Sequence, residues 1–273
     1  MTQRLLLNLL LGVVAIALAL LIYHETGKTP ESNAKAISPV DTETLSSIRI
    51  TRQQAGSLLL NKRSGRWYIE REPDLPADEF QVNTLLSLPR AATDRHYPAN
   101  TLDLDSMGLL PPKATALLDD EKFDLGGTDP IDKRRYILHG SRVYLVADRF
   151  QHLLNARDTN FVERKLLPFN AGITGLSLPG LVINQGNDGQ WLLQPEKPGV
   201  GANAIRALLD AWENARALYV RDYDGGAGEE IQVYLQGVDE PVKLVLLARE
   251  PEIVLARPAW RIQYHLSSGT GSG

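Results

Sequence analysis

Two stretches of the chain share one order of residues: "SGRWYIEREP" from Ser64 and "DGQWLLQPEKP" from Asp188. Each has a glycine turn, a tryptophan two residues later, an alternating run, and then Glu and Pro. A phrase used twice restricts the fold to one in which the same local unit is built twice. The elements around each phrase also come in one order. "SSIRITRQQAGSLLLNKRSGRWYIER" alternates apolar and polar residues and is broken by Gly56 and Ser64-Gly65, the pattern of a three-stranded meander. In "EPDLPADEFQVNTLLSLPR", acidic residues open a helical pattern, Val82, Leu85 and Leu86 share a face, and Pro89 stops it. "KATALLDDEKFDLGG" and "RRYILHGSRVYLVAD" read as two hairpins.

The second half repeats the series. "PGLVINQGNDGQWLLQP" is a hairpin across Asn187-Asp188-Gly189, and "GANAIRALLDAWENARA" is a helix with Ile205, Leu208, Leu209 and Trp212 on one face. "EEIQVYLQGVDEPVKLVLLAREPEIVLARPAWRIQYHL" supplies four more strands. The expectation is an α+β fold of two tandem, duplicated modules, each an antiparallel sheet with a covering helix. Residues 45–155 and 171–266 form the modules, and 156–170, with "NFVERKLLPF", connect them. Trp67 and Trp191 then occupy equivalent places, filling space between sheet and helix; paired exposure as a binding platform is the rival reading.

Ahead of the modules, Leu5 to Tyr23 carries no charged residue and one strongly polar side chain, Asn8. As a helix it is roughly 28 Å long, close to the roughly 30 Å hydrocarbon core of a bilayer. A cleaved signal peptide is the competing reading. The Ala17-Leu18-Ala19 site lies inside the apolar run, however, and Tyr23 and His24 make an interfacial end. Residues 1–23 are therefore expected to be a cytoplasmic head and transmembrane anchor, with lipid as their partner. Asn8, Gly12, Ala15 and Ala19 stack on one side of that helix as a candidate contact for a partner helix. Residues 24–44, "HETGKTPESNAKAISPVDTET", read as a flexible tether, and 267–273 as a flexible tail or appended linker. The folded part is expected outside a bacterial inner membrane, in the periplasm.

Composition excludes more than it assigns. A net charge of −4 gives no field to recruit nucleic acid. The absence of cysteine removes disulfides, thiolate metal sites and cysteine nucleophiles. His24, His96, His139, His152 and His265 are scattered without ligand spacing, and no Gly-x-Ser-x-Gly, Walker or dinucleotide loop occurs. "RDYDGGAGEE" from Arg221 is rich in carboxylates, yet Gly226 stands where a calcium loop needs Asp or Asn. "DKRRY" from Asp132 reads as a solvated hairpin entry. No catalytic, cofactor or metal residue is expected, and the chain is not expected to be an enzyme.

The segments "SGRWYIEREPDLPADEFQVNTLLSL", "MGLLPPKATALL", "FDLGG" and "NFVERKLLPF", with "DGQWLLQPEKPGVGANAIRALLDAW", resemble the bacterial proteins catalogued as domain of unknown function 4340. The resemblance implies a membrane-anchored extracytoplasmic protein, often encoded beside gliding-motility-type ABC exporters. On that reading the chain is an accessory subunit that scaffolds or regulates the outer side of an exporter, with permease and auxiliary subunits as partners. The alternative is a substrate- or envelope-polymer-binding protein using the cleft between the modules.

Overall fold

Alternating apolar residues dominate the chain from Leu45 onward, and in the computed structural model nearly every such run is a strand. The structure describes residues 34–168, 171–186 and 189–268. Among the described residues all strand pairing is antiparallel, in three sheets. The largest has nine strands, in the spatial order Leu75–Pro76, Arg66–Ile69, Gly56–Arg63, Ser47–Arg52, Ala114–Leu118, Glu121–Thr128, Arg134–His139, Arg142–Ala147 and His96–Pro98. The second has eight, in the order Trp191–Gln194, Leu181–Gln185, Ile173–Leu178, Glu229–Leu235, Val242–Ala248, Glu252–Arg257, Ile262–Ser267 and Tyr219–Asp222. A two-stranded ribbon pairs Lys35–Ala36 with Ala92–Thr93.

The expected α+β description is corrected by this architecture. Among the described residues the α-helices are only α1 (Glu79–Leu86), α2 (Gln151–Leu154) and α3 (Ala202–Glu213), so the fold is mostly β. The physical reason is that each helix covers only part of one sheet face. Val82 and Leu85 of α1, and Ile205 and Leu209 of α3, supply the buried positions. Apart from these and Leu153 of α2, the core comes from strands and the segments between them.

The single-pass membrane reading is corrected as well. No helix among the described residues is long and apolar enough to cross a membrane. The longest, α3, has 12 residues, which at about 1.5 Å each span about 18 Å, well short of a bilayer core. The Leu5–Tyr23 run lies outside the described residues, and with it the partner-helix candidates Asn8, Gly12, Ala15 and Ala19.

Local chemistry explains where the elements begin and turn. Asp78 caps α1, its carboxylate accepting from the Phe80 and Gln81 backbone N–H groups at 3.0 and 3.2 Å. The "MGLLPP" and "FDLGG" segments meet across the first sheet: the Gly127 N–H donates to the Met107 carbonyl at 2.7 Å. A Cβ on Gly126 would stand 2.5 Å from that same oxygen, so only glycine fits. The end of the segment read as a tether lies against the fold, with Ile37, Ser38 and Thr42 buried.

Residues 158–168 hold the two large sheets together. A 3-10 turn, Asp158–Phe161, leads into a strap that pairs on both sides. Toward the first sheet, Asp78 N–H donates to the Phe161 carbonyl and Glu163 N–H to the Pro76 carbonyl. Toward the second, Ala217 N–H donates to the Arg164 carbonyl and Leu166 N–H to the Ala215 carbonyl. Phe161, Val162, Leu166 and Leu167 are buried, joining one continuous apolar core. Each such side chain contributes on the order of 1.5–3 kcal/mol relative to exposure.

Candidate functional site

The strap forms the floor of a groove between the sheets, about 580 Å³ in volume. Trp67, Tyr68, Pro76 and Glu79 line it from the first sheet and α1, and Arg216, Arg257 and Trp260 from the second. Glu163, Lys165, Leu167 and Pro168 lie between them. The two walls are tied by charge beside the groove. The buried Asp78 carboxylate takes Arg216 at 3.0 Å and Arg164 at 3.4 Å, and Glu163 takes the other Arg216 nitrogen at 3.2 Å. Arg71 reaches Asp222 of the second sheet at 3.2 Å.

Arginine is used in two different ways in this protein. Arg52 and Arg135, both buried, are each closed by a carboxylate and by carbonyls. Arg135 makes a bidentate pair with Asp148 at 2.8 and 2.7 Å and also donates to the Gly126 carbonyl and Gln151. Burial pushes Asp148 up, but the Arg135 guanidinium outweighs it and holds the carboxyl below its ordinary value. Arg52 donates to Asp158 at 2.6 Å, to the Ala156 carbonyl, and to the Ala55 carbonyl at 3.3 Å. Both residues fasten the Asp148–Asp158 segment onto the first sheet. Arg135 is therefore part of the interior, where "DKRRY" had read as a solvated hairpin entry.

Arg257 in the groove wall differs. Its guanidinium stacks on Trp260, 3.3 Å from the ring centroid, and no carboxylate of the described residues lies within salt-bridge distance of it. The turn Pro258–Trp260 places the indole there by folding back on the strand that carries Arg257. Tyr264, on the next strand, pairs with Leu255 and so lies diagonally across from Arg257 on one sheet face. Its hydroxyl is buried and has no hydrogen-bond partner among the described residues. Burial pushes the Tyr264 phenol up to about 12, with Arg257 opposing, and burial also lowers Arg257.

The other residues singled out in the sequence are scattered. His96 Nδ1 accepts from Arg142 at 3.0 Å, His139 stacks on Phe123, and His152 meets Gln81 at 3.2 Å. His265 sits between Glu252 at 3.0 Å and Gln263 at 2.9 Å, stacked on Tyr219, whose hydroxyl donates to Glu252 at 2.6 Å. The Tyr219 hydroxyl and His265 hold Glu252 below its ordinary value. His24 lies outside the described residues. In the "RDYDGGAGEE" loop, Tyr223 donates to the Gly226 carbonyl and Glu229 pairs with Arg249. No three His, Asp or Glu side chains among the described residues gather as a metal site.

Trp67 and Trp191 are both half-buried and packed on the core, but only Trp67 faces the groove. Trp191 belongs to a separate shallow pocket of about 380 Å³ with Leu192, Val200 and Ile205. The sequence reading found the first tryptophan and missed Arg257 and Trp260. Their stacking joins residues three apart across a turn, and the adjacent "RPAW" was the only local signal.

Comparison with known proteins shows the family of the chain. The model for the family described as Domain of unknown function (DUF4340) matches residues 67–229. The match includes Trp67, α1, the strap and Arg216, and ends before Arg257 and Trp260. No curated protein and no solved structure matches the chain.

Proposed function

Because the chain belongs to the DUF4340 family, whose description assigns no activity, we propose from the groove that it is a binding protein that takes an extended segment of a partner. The observation that carries this reading is the composition of the groove: Trp67, Tyr68, Arg257 and Trp260 stand on opposite walls above a buried strap. Tryptophan, tyrosine and arginine dominate the energetics of protein contacts, because each covers a large area and keeps a polar end. An extended chain fits between walls held apart by the Asp78–Arg216 tie. The resemblance seen in the sequence supplies the setting. In it, the protein is an accessory subunit on the extracytoplasmic side of a bacterial ABC exporter, and the segment belongs to a permease or auxiliary subunit.

A second reading is favoured by the same indoles. Trp67 and Trp260 offer apolar faces, and Asp74 and Glu79 offer acceptors for hydroxyls, the combination that would hold an envelope polymer. A photo-crosslinking amino acid at Glu79, in the groove, separates these readings when compared with one at Ile131, which is 89% exposed and outside the groove. In cells expressing the full chain, the expected result is a discrete protein adduct from position 79 and none from 131. A polysaccharide adduct from 79 would favour the second reading. Equal labelling from both positions would remove the groove from the function.

A further inference from the structure

We propose that Arg257, braced by Trp260 and flanked by the Tyr264 hydroxyl, is the recognition point for a carboxylate carried by the segment that occupies the groove. This rests on the binding role proposed above and names the chemistry of the ligand.

Three observations meet at this point. First, the guanidinium carbon lies over the Trp260 indole, 3.3 Å from the ring centroid. Stacking occupies the faces of the planar group and leaves its edge, where the N–H donors lie, free to meet an acceptor. Second, the charge is not neutralised: Arg52, Arg135 and Arg216 each have a carboxylate, and Arg257 has none among the described residues. Leaving a charge half out of water without a partner costs free energy, and a ligand carboxylate offsets that cost when it arrives. Third, the group behind the guanidinium is the buried, neutral Tyr264 hydroxyl, which offers no countercharge. Tyr264 is fully buried and does not line the groove, so it backs the guanidinium from the interior, and the acceptor that completes the site is one that meets the groove-facing edge of Arg257. A carboxylate meets the guanidinium edge in a bidentate pair, the strong and directional form of this interaction.

The other groups facing the site agree with a single carboxylate rather than a highly charged anion. The groove is lined by the cations Arg66, Lys165, Arg216 and Arg257 and the carboxylates Asp74, Glu79 and Glu163, a surplus of one positive charge that suits one carboxylate better than a phosphate or a run of acids. Arg216 is already held by Asp78 and Glu163. One carboxylate in an otherwise apolar, extended segment fits both the indoles and the balance of charge.

The test uses the full chain and three synthetic peptides, with binding read from tryptophan fluorescence. The first, Leu-Asp-Leu-Asn-Leu, is blocked at both ends and carries one side-chain carboxylate. The second replaces its Asp with Asn and stays blocked. The third is the Asn peptide with a free C-terminal carboxylate. Saturable binding is expected for the carboxylate-bearing peptides, with a loss of about tenfold or more for the blocked Asn peptide, as for one charge-assisted hydrogen-bonded pair. Preference between the first and third identifies a side-chain or a C-terminal carboxylate. Inorganic phosphate should not compete.

In Arg257→Gln the discrimination between Asp and Asn peptides should vanish, and Arg257→Lys should recover only part of it because lysine cannot form the fork. Equal binding of the Asp and Asn peptides to the native chain overturns the proposal without relying on any variant. Absence of binding by every peptide also overturns it. A position-79 protein adduct alongside either result would leave the groove's binding role standing and its carboxylate chemistry refuted.

Discussion

Asp78 Oδ2 accepts from Arg216 Nη2 at 3.0 Å while Asp78 Oδ1 accepts from the first turn of α1, so one buried carboxylate caps a helix of the first sheet and grips the second. The sheets thus meet through a side chain with two duties. This explains why the groove between them has fixed walls.

Asp78→Ala removes both duties and is expected to destabilise the protein by about 2 kcal/mol. A lost cap costs about 1 kcal/mol, and the ion pairs add a similar amount because both arginines are partly exposed and screened. Asp78→Asn keeps the cap acceptor and should lose less. Urea midpoints of the two variants against the native chain measure the difference.

Asp148 carries a pH dependence whose sign can be worked out. Its folded value lies below the ordinary 3.8 because the Arg135 pair outweighs burial. A depressed carboxyl contributes stability that is fully present above the unfolded value and is lost as pH falls through the folded one. Asp148→Asn should therefore destabilise at neutral pH, and its deficit should shrink as pH falls below 3.8. Unfolding free energies measured across that range test it; a deficit that stays constant with pH would remove Asp148 as the source.

Gly126→Ala puts a methyl 2.5 Å from the Met107 carbonyl and 2.9 Å from Leu109, and is expected to cost about 1–3 kcal/mol. Gly201 is the contrasting case. It precedes α3 as its N-cap without a side-chain acceptor, and a Cβ there meets nothing within 4 Å. Gly201→Ser should be neutral or stabilise by a few tenths of a kcal/mol, roughly the serine-over-glycine preference at this position. Thermal midpoints of the pair should move in opposite directions or, for Gly201→Ser, not at all.

Tyr264→Phe removes a buried hydroxyl that has no partner among the described residues. Deleting an unsatisfied polar group is neutral or stabilising, by up to about 1–2 kcal/mol, whereas deleting a satisfied one costs about 1 kcal/mol. The sign of the change in denaturant midpoint decides whether the hydroxyl is satisfied in solution.

How much of this was legible beforehand follows from the range of the interactions involved. Strand alternation, the Val82-Leu85 and Ile205-Leu209 helix faces and the glycine turns are written in contacts a few residues apart, and a sequence states those directly. The balance of helix and sheet was misjudged. Short edge strands such as His96–Pro98 and Tyr219–Asp222 exist only because a neighbouring strand offers hydrogen bonds, and no periodicity marks them. The interior arginines show the same limit: nothing in "KRRY" separates buried Arg135 from its neighbours, because its partner Asp148 arrives from the adjoining strand's far end.

By itself the sequence determined the local units, the absence of cysteine chemistry and the family. The tertiary structure decided that residues 158–168 pair with both sheets, that Trp67 and Trp260 face one groove, and that Arg257 is left without a carboxylate among the described residues. Those facts depend on which distant segments share a low-dielectric space. Burial and pairing of a charge are properties of that space, and no stretch of the chain contains them alone.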